Sequence, residues 1–203
     1  YQSFGYNNVS ISFKSEVSND TNTADLFFDI SEGDITKINK IFFKGNKSID
    51  SEQLKTTIKS KVKTLTNIFA NNNFKRFLVA NDALRITNLY KDSGFIKVSV
   101  EYNIEYLKSN KVNIYFNINE GDLYTFNNIK FEDKNNLLSI DTYNNIINII
   151  NSQILKSENY SITKIDNLKE NISNKIIESG SEFFEINIYE KNISEQKIDL
   201  LLE

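Results

Sequence analysis

The sequence predicts an α+β protein of tandem β-α-α-β-β repeats, each packing two helices on a three-stranded mixed sheet. Three observations carry that prediction. Ser31-Glu32-Gly33-Asp34 and Asn119-Glu120-Gly121-Asp122 each close an apolar stretch and lie 88 residues apart. Gly5, Gly94 and Gly180, spaced by 89 and 86 residues, each precede a stretch of alternating polarity. Between these marks the apolar period changes from 2 to 3.6 and back, as it does when strands flank helices. A repeat near 87 residues is longer than a solenoid unit and suits small domains that fold independently.

The elements follow in order. Residues 1–34 read as the closing hairpin of a preceding repeat, with strands at Tyr6–Val17 and Asp25–Ser31. Such a hairpin is marginal alone and should lean on its neighbour. Residues 35–121 read as a complete repeat. Ile38, Ile41 and Phe43 define a first strand over Lys37–Lys44, and Gly45-Asn46 supplies a turn. Asp50-Ser51-Glu52-Gln53 has the pattern of a capping box ahead of a short helix marked by Leu54 and Ile58. The loop Asn71–Asn73 is either a solvated insert or a contact for a partner or neighbouring repeat. From Lys75 to Asp92, Val79, Ala83, Ile86 and Tyr90 recur at helical spacing, and Ser93-Gly94 ends that helix. Tyr90 is either core or a recognition residue.

A hairpin closes the repeat. Over Phe95–Tyr106, Ile96, Val98, Val100, Tyr102, Ile104 and Tyr106 alternate with Lys97, Ser99, Glu101, Asn103 and Glu105. Lys108-Ser109-Asn110 makes the turn, and Val112, Ile114, Phe116 and Ile118 then alternate with polar residues. Residues 122–203 copy the pattern, truncated at the last strand. Phe126, Ile129 and Phe131 match the first strand, Ser139-Ile140-Asp141 matches Ser48-Ile49-Asp50, and Ile165, Ile172 and Ile176 match the long helix. Strands follow near Phe183–Lys191 and Lys197–Leu202. Asp133 stands where the first copy has Gly45, a mild change if Asp takes up the same turn geometry.

Composition narrows the chemistry. The 203 residues include no His, Cys, Met, Trp or Pro. Disulfides, thiolate nucleophiles, thiolate zinc sites and imidazole acid–base chemistry are therefore excluded. Carboxylate pairs or a Ser–Lys dyad remain formally available, but 27 acidic residues place such pairs everywhere, and no phosphate loop is present. The reading is not an enzyme, with no cofactor and no metal. Net charge −3 with Arg76 and Arg85 as the sole arginines gives no nucleic-acid footprint. No apolar run approaches the roughly 20 residues of a membrane helix, and a chain opening at Tyr1 without Met reads as an excised segment. The abundance of Asn, Ile and Lys reads as codon drift.

The first-strand ending Ile41-Phe42-Phe43-Lys44-Gly45-Asn46, the block Tyr90-Lys91-Asp92-Ser93-Gly94-Phe95 and the closing Asn119-Glu120-Gly121-Asp122 resemble the POTRA domains of outer-membrane assembly and translocation proteins. Within that family the chain is most similar to BamA-type assembly factors. Asp82-Ala83-Leu84-Arg85-Ile86 looks like the second POTRA helix, and the insert Lys61–Phe77, with Thr66-Asn67-Ile68-Phe69, looks like the third repeat. By that likeness residues 1–34 correspond to the tail of POTRA 2, 35–121 to POTRA 3 and 122–203 to POTRA 4. The block that should match Tyr90–Phe95 reads Ile176-Ile177-Glu178-Ser179-Gly180-Ser181, a departure from the pattern.

The resemblance implies a periplasmic scaffold whose parent chain is anchored by a C-terminal barrel. Its partners would be accessory lipoproteins of the assembly machinery and unfolded outer-membrane β-barrel clients. An alternative is the POTRA region of a two-partner secretion transporter or another translocation or import pore. The family's second strand is a sheet edge that accepts an added strand, which maps here to Phe95, Lys97, Ser99, Val100, Glu101, Asn103 and Glu105. A competing reading is that Lys97, Glu101 and Glu105 merely block edge aggregation. Glu32, Gly33, Asp34, Glu120, Gly121 and Asp122 are expected to set the geometry of the interdomain junctions rather than to bind metal.

Overall fold

The computed structural model describes residues 1–18, 20, 23–65, 67–154, 156–181 and 183–203, with backbone alone at 18 and 192–194. Thr66, part of the quoted insert, lies outside the described residues. A turn of 3₁₀ helix at Gln2–Phe4 precedes β1 (Ser10–Ser18) and β2 (Thr23–Ser31), an antiparallel pair. Then come β3 (Lys37–Lys44), α1 (Ser51–Thr57), α2 (Arg76–Asp92), β4 (Ser99–Leu107) and β5 (Lys111–Asn119). The same order returns in β6 (Thr125–Phe131), α3 (Ile140–Gln153), α4 (Ile162–Glu178), β7 (Ile188–Ser194) and β8 (Lys197–Leu202). Both three-stranded sheets are mixed. Their orders are β3-β5-β4 and β6-β8-β7, with the first strand parallel to the central one.

The chain divides into two compact units, one of residues 1–86 and 100–118, the other of 87–99 and 119–203. In the first, Leu54, Ile58, Phe74, Val79 and Ile86 from the helical side bury with Ile38, Val112, Ile114 and Phe116 from the sheet. Each such side chain contributes on the order of 1.5–3 kcal/mol. Asp50 caps α1 by accepting the Gln53 amide at 2.8 Å, as the capping pattern predicts. The β1–β2 register puts Ile11, Phe13, Val17, Leu26, Phe28 and Ile30 on one face, and all six are exposed. Strand β1 starts later than expected, because Tyr6 instead bridges to Ile35. The Asn71–Asn73 loop is tied down rather than solvated. Ile38 donates its amide to the Asn72 carbonyl at 2.7 Å, and Asn73 Nδ2 donates to the Phe4 carbonyl at 3.2 Å.

In the second unit the core is Phe126, Ile146, Ile150, Leu168, Ile172, Ile198 and Leu202. Three expectations need correction there. The cap of α3 is Ser139, which accepts the Thr142 amide, so its counterpart is Asp50 rather than Ser48. Strand β7 begins at Ile188 instead of Phe183. Asp133 does not adopt the left-handed backbone of Gly45. It accepts the Leu138 amide with its own carboxylate at 2.8 Å, while Asn136 takes the positive φ of 50°. A side-chain turn has replaced a backbone turn.

Candidate functional site

Strand β4 is an edge of its sheet, with β5 on one side and no strand on the other among the described residues. From Ser99 to Glu105 its residues alternate as expected, with Ser99, Glu101, Asn103 and Glu105 exposed and Val100, Tyr102 and Ile104 half-buried, but Tyr106, expected on the inner face, is exposed. The strand starts at Ser99, however, not at Phe95. The cause is the way α2 ends. Gly94 has φ 102°, which lets the Phe95 amide turn back to the Tyr90 carbonyl at 3.0 Å. A second turn follows, the Val98 amide donating to the Phe95 carbonyl at 3.1 Å. Phe95 is therefore buried edge-on to the Tyr90 ring, and Lys97 is exposed in the turn with its ammonium 5.3 Å from the Tyr124 ring centre. Phe95 and Lys97 stand outside the strand they were expected to begin.

On the edge itself, Glu105 is held across to β5 by Asn113 Nδ2 and by the Tyr115 hydroxyl, each at 2.8 Å. Those hydrogen bonds, Asn113 first, keep its carboxyl below the usual Glu range, and the same contact raises the Tyr115 phenol. Tyr106, at the far end, is exposed and receives a 2.8 Å hydrogen bond from Arg76.

The junction residues separate into two groups. Gly33 and Gly121 have φ 67° and 71°, and Asp34 accepts from Asn110 Nδ2 at 2.9 Å. Glu32 and Asp122 are exposed. Glu120 is buried and accepts the Tyr90 hydroxyl at 2.9 Å, so Tyr90 is core and Glu120 satisfies its polar tip. Sequence reasoning missed a second, tighter clasp that occurs once in each unit. In the first, the Gly5 carbonyl accepts the Thr36 amide at 3.1 Å, and the Thr36 carbonyl accepts the Phe74 amide at 2.8 Å. In the second, the Gly94 carbonyl accepts the Tyr124 amide at 2.8 Å, and the Tyr124 carbonyl accepts the Tyr160 amide at 2.9 Å. Gly5 and Gly94 were visible as a repeat, but Thr36 and Tyr124 take part through main chain alone and leave no residue signature.

Asp92 adds a charged contact to the second clasp. It is the last residue of α2, where its own helix dipole disfavours a negative charge. It accepts the Ser161 hydroxyl at 2.6 Å and the Thr163 amide at 2.9 Å, at the N-terminus of α4, where a negative charge is favoured. Burial pulls its carboxyl upward, but the bonds from Ser161 and Thr163 win and hold it below its ordinary value of 3.8. A depressed folded value contributes stability above the unfolded value, lost as pH falls through the folded one. Asp92→Asn is therefore expected to lower the urea midpoint at pH 7, and the gap to wild type should narrow as pH falls below about 4.

This is an α+β repeat module with open sheet edges and glycine clasps. Residues 36–121 match the POTRA family model, described as a surface antigen variable number repeat. That stretch is a POTRA domain, and the chain has the fold of tandem POTRA domains. Among solved structures it is similar to POTRA domains 3–5 of Haemophilus influenzae BamA, with TM-score 0.52 and 17% identity over 98% of this chain and 72% of that one. It is also similar to Haemophilus ducreyi BamA lacking POTRA domains 1–3, with TM-score 0.56 and 14% identity over 82% of this chain and 28% of that one. At these identities the likeness is one of fold. Compared with curated protein sequences, the chain has no significant match. Among the described residues, no helix is long and apolar enough to cross a membrane.

Proposed function

We propose that this chain is a periplasmic, non-catalytic scaffold segment of a BamA-type outer-membrane assembly factor, anchored through a barrel elsewhere in its parent. It holds accessory lipoproteins or unfolded outer-membrane chains by strand addition to β4. Residues 1–34, 35–121 and 122–203 act as the tail of one POTRA domain and two successive ones, with Glu32–Asp34 and Glu120–Asp122 as the connectors. The observation that carries the reading is the open edge of β4, nine residues long and alternating from Ser99 to Glu105. Added strands bind through main chain, which tolerates many sequences and suits clients that share only an alternating pattern. Ser99, Val100, Glu101, Asn103 and Glu105 are the contact residues on the strand, while Phe95 and Lys97 flank its start.

Of two adjacent residues on an edge strand, one amide faces the neighbour and the other faces outward. Ser99→Pro and Val100→Pro thus form a matched pair. In a pull-down with a urea-diluted outer-membrane β-barrel polypeptide, the outward-facing position is expected to lose capture at least ten-fold while its circular dichroism is retained. Unchanged capture by both folded variants overturns the proposal.

A further inference from the structure

The connection between α1 and α2, residues 58–75, gives Ile58 and Phe74 to the core at its two ends, but its middle serves neither the core nor the β4 edge. No acidic residue lies between Glu52 and Asp82, yet Lys55, Lys59, Lys61, Lys63, Lys75 and Arg76 fall there, in a chain of net charge −3. The connection is anchored at its base and bare at its tip. At the base, the fully buried Asp82 carboxylate accepts the amides of Lys59 and Ser60, both at 2.8 Å. At the tip, two successive turns form as the Asn67 amide donates to the Thr64 carbonyl and the Ala70 amide to the Asn67 carbonyl. These turns leave Leu65, Ile68 and Phe69 exposed by 98%, 58% and 93%.

The fold does not require this tip. In the last repeat the first helix runs 14 residues and the connection to the second helix is residues 154–161. Here α1 stops after 7 residues and the chain spends the difference on the exposed loop. A single exposed apolar residue needs no explanation, but three within five positions on a turn tip, next to a basic run, do. Three such side chains present on the order of 450 Å², about half of what one partner contributes to a stable protein interface. They also project from turns rather than line a groove. Both features fit insertion into a lipid interface, where apolar tips enter the headgroup boundary and flanking lysines meet anionic headgroups.

We propose that this loop is a membrane-contacting element: Leu65, Ile68 and Phe69 enter the surface of a bilayer containing anionic phospholipid, and Lys59 and Lys63 hold the headgroups. The Lys61 ammonium instead donates to the Lys55 and Ile58 carbonyls at 3.1 and 2.8 Å and ties the base of the loop to the end of α1. The site is distinct from the β4 edge. The test is co-sedimentation of the 203-residue chain with phosphatidylcholine–phosphatidylglycerol vesicles, against vesicles of phosphatidylcholine alone. Wild type is expected to bind the anionic vesicles at least ten-fold better, with binding that weakens as salt rises. Leu65→Ser/Ile68→Ser/Phe69→Ser should lose that binding at unchanged circular dichroism and unchanged capture of a barrel polypeptide. Lys59→Gln/Lys63→Gln should lose the preference for anionic lipid. Wild type that ignores anionic vesicles, or a triple serine variant that binds them as wild type does, overturns the proposal. Binding of polyglutamate without binding of vesicles also overturns it, in favour of an acidic protein partner.

Discussion

Gly45→Ala is expected to destabilise the protein by about 3–5 kcal/mol, read as a fall in the urea midpoint with little change in slope. Gly45 has φ 86°, and a Cβ built on it would stand 2.1 Å from the Ile118 carbonyl oxygen. Two costs combine there. Positive φ strains any residue with a Cβ, by roughly 1–2 kcal/mol. The clash is with backbone, so no side chain can swing aside, and the turn or the end of β5 must move. Gly180→Ala supplies the control, because Gly180 has φ 93° but, its chain neighbours aside, no atom of the described residues within 4 Å of its added Cβ. That variant should lose only the conformational part, about 1–2 kcal/mol. If the two variants lose the same amount, close packing at Gly45 is not what fixes its identity.

The pair Gly45 and Asp133 also marks where sequence reasoning stopped. Apolar periodicity placed the helices and most strands correctly, since Val79, Ile86 and Tyr90 and then Val112, Ile114 and Phe116 bury as their spacing requires. A substitution such as Asp for Gly says only that a turn persists. Whether the backbone or the side chain makes that turn depends on neighbours such as Leu138, whose identity carries no such signal, and Asn136, whose residue type tolerates positive φ without requiring it. The same limit applies at the start of β4. Ile96 and Val98 extend the alternation in sequence, yet the turn after Gly94 buries Phe95 and Val98 three residues apart. An i, i+3 turn and an alternating strand can share the same few letters.

The candidate site was legible to different depths for a related reason. An edge strand is a property of strand order, and the repeat pattern implied that order once the fold class was in hand. The clasps at Gly5 and Gly94 are made from carbonyls and amides, which every residue but proline possesses. Only the glycines betray them, by their recurrence. The basic loop was visible as an insert, but its meaning rests on exposure, which sequence does not state.

Asp82→Ala is expected to cost about 3–5 kcal/mol and to act on the basic loop before it acts on the rest of the protein. The carboxylate is fully buried and carries three partners. Its Oδ1 accepts the Lys59 amide and the Arg85 guanidinium, and its Oδ2 accepts the Ser60 amide, all at 2.8 Å. Alanine would strand the Ser60 amide in the interior and leave Arg85 without its carboxylate. Arg85 is about one-third exposed, so water compensates it in part, and the stranded amides dominate the loss. Asp82→Asn keeps one acceptor oxygen but turns the other into a donor facing a donor, and should fall in between, near 2 kcal/mol. Native-state hydrogen exchange separates a local effect from a global one. The amides of Lys59 and Ser60 should lose protection first, and the loop should become the preferred site of proteolysis. Uniform loss of protection across β3, α2 and β5 would mean that Asp82 supports the whole core. In the expected case, a loop detached at its base still carries Leu65, Ile68 and Phe69 but no longer holds them in place. Vesicle binding by Asp82→Asn should then weaken at a temperature where its circular dichroism is still that of wild type.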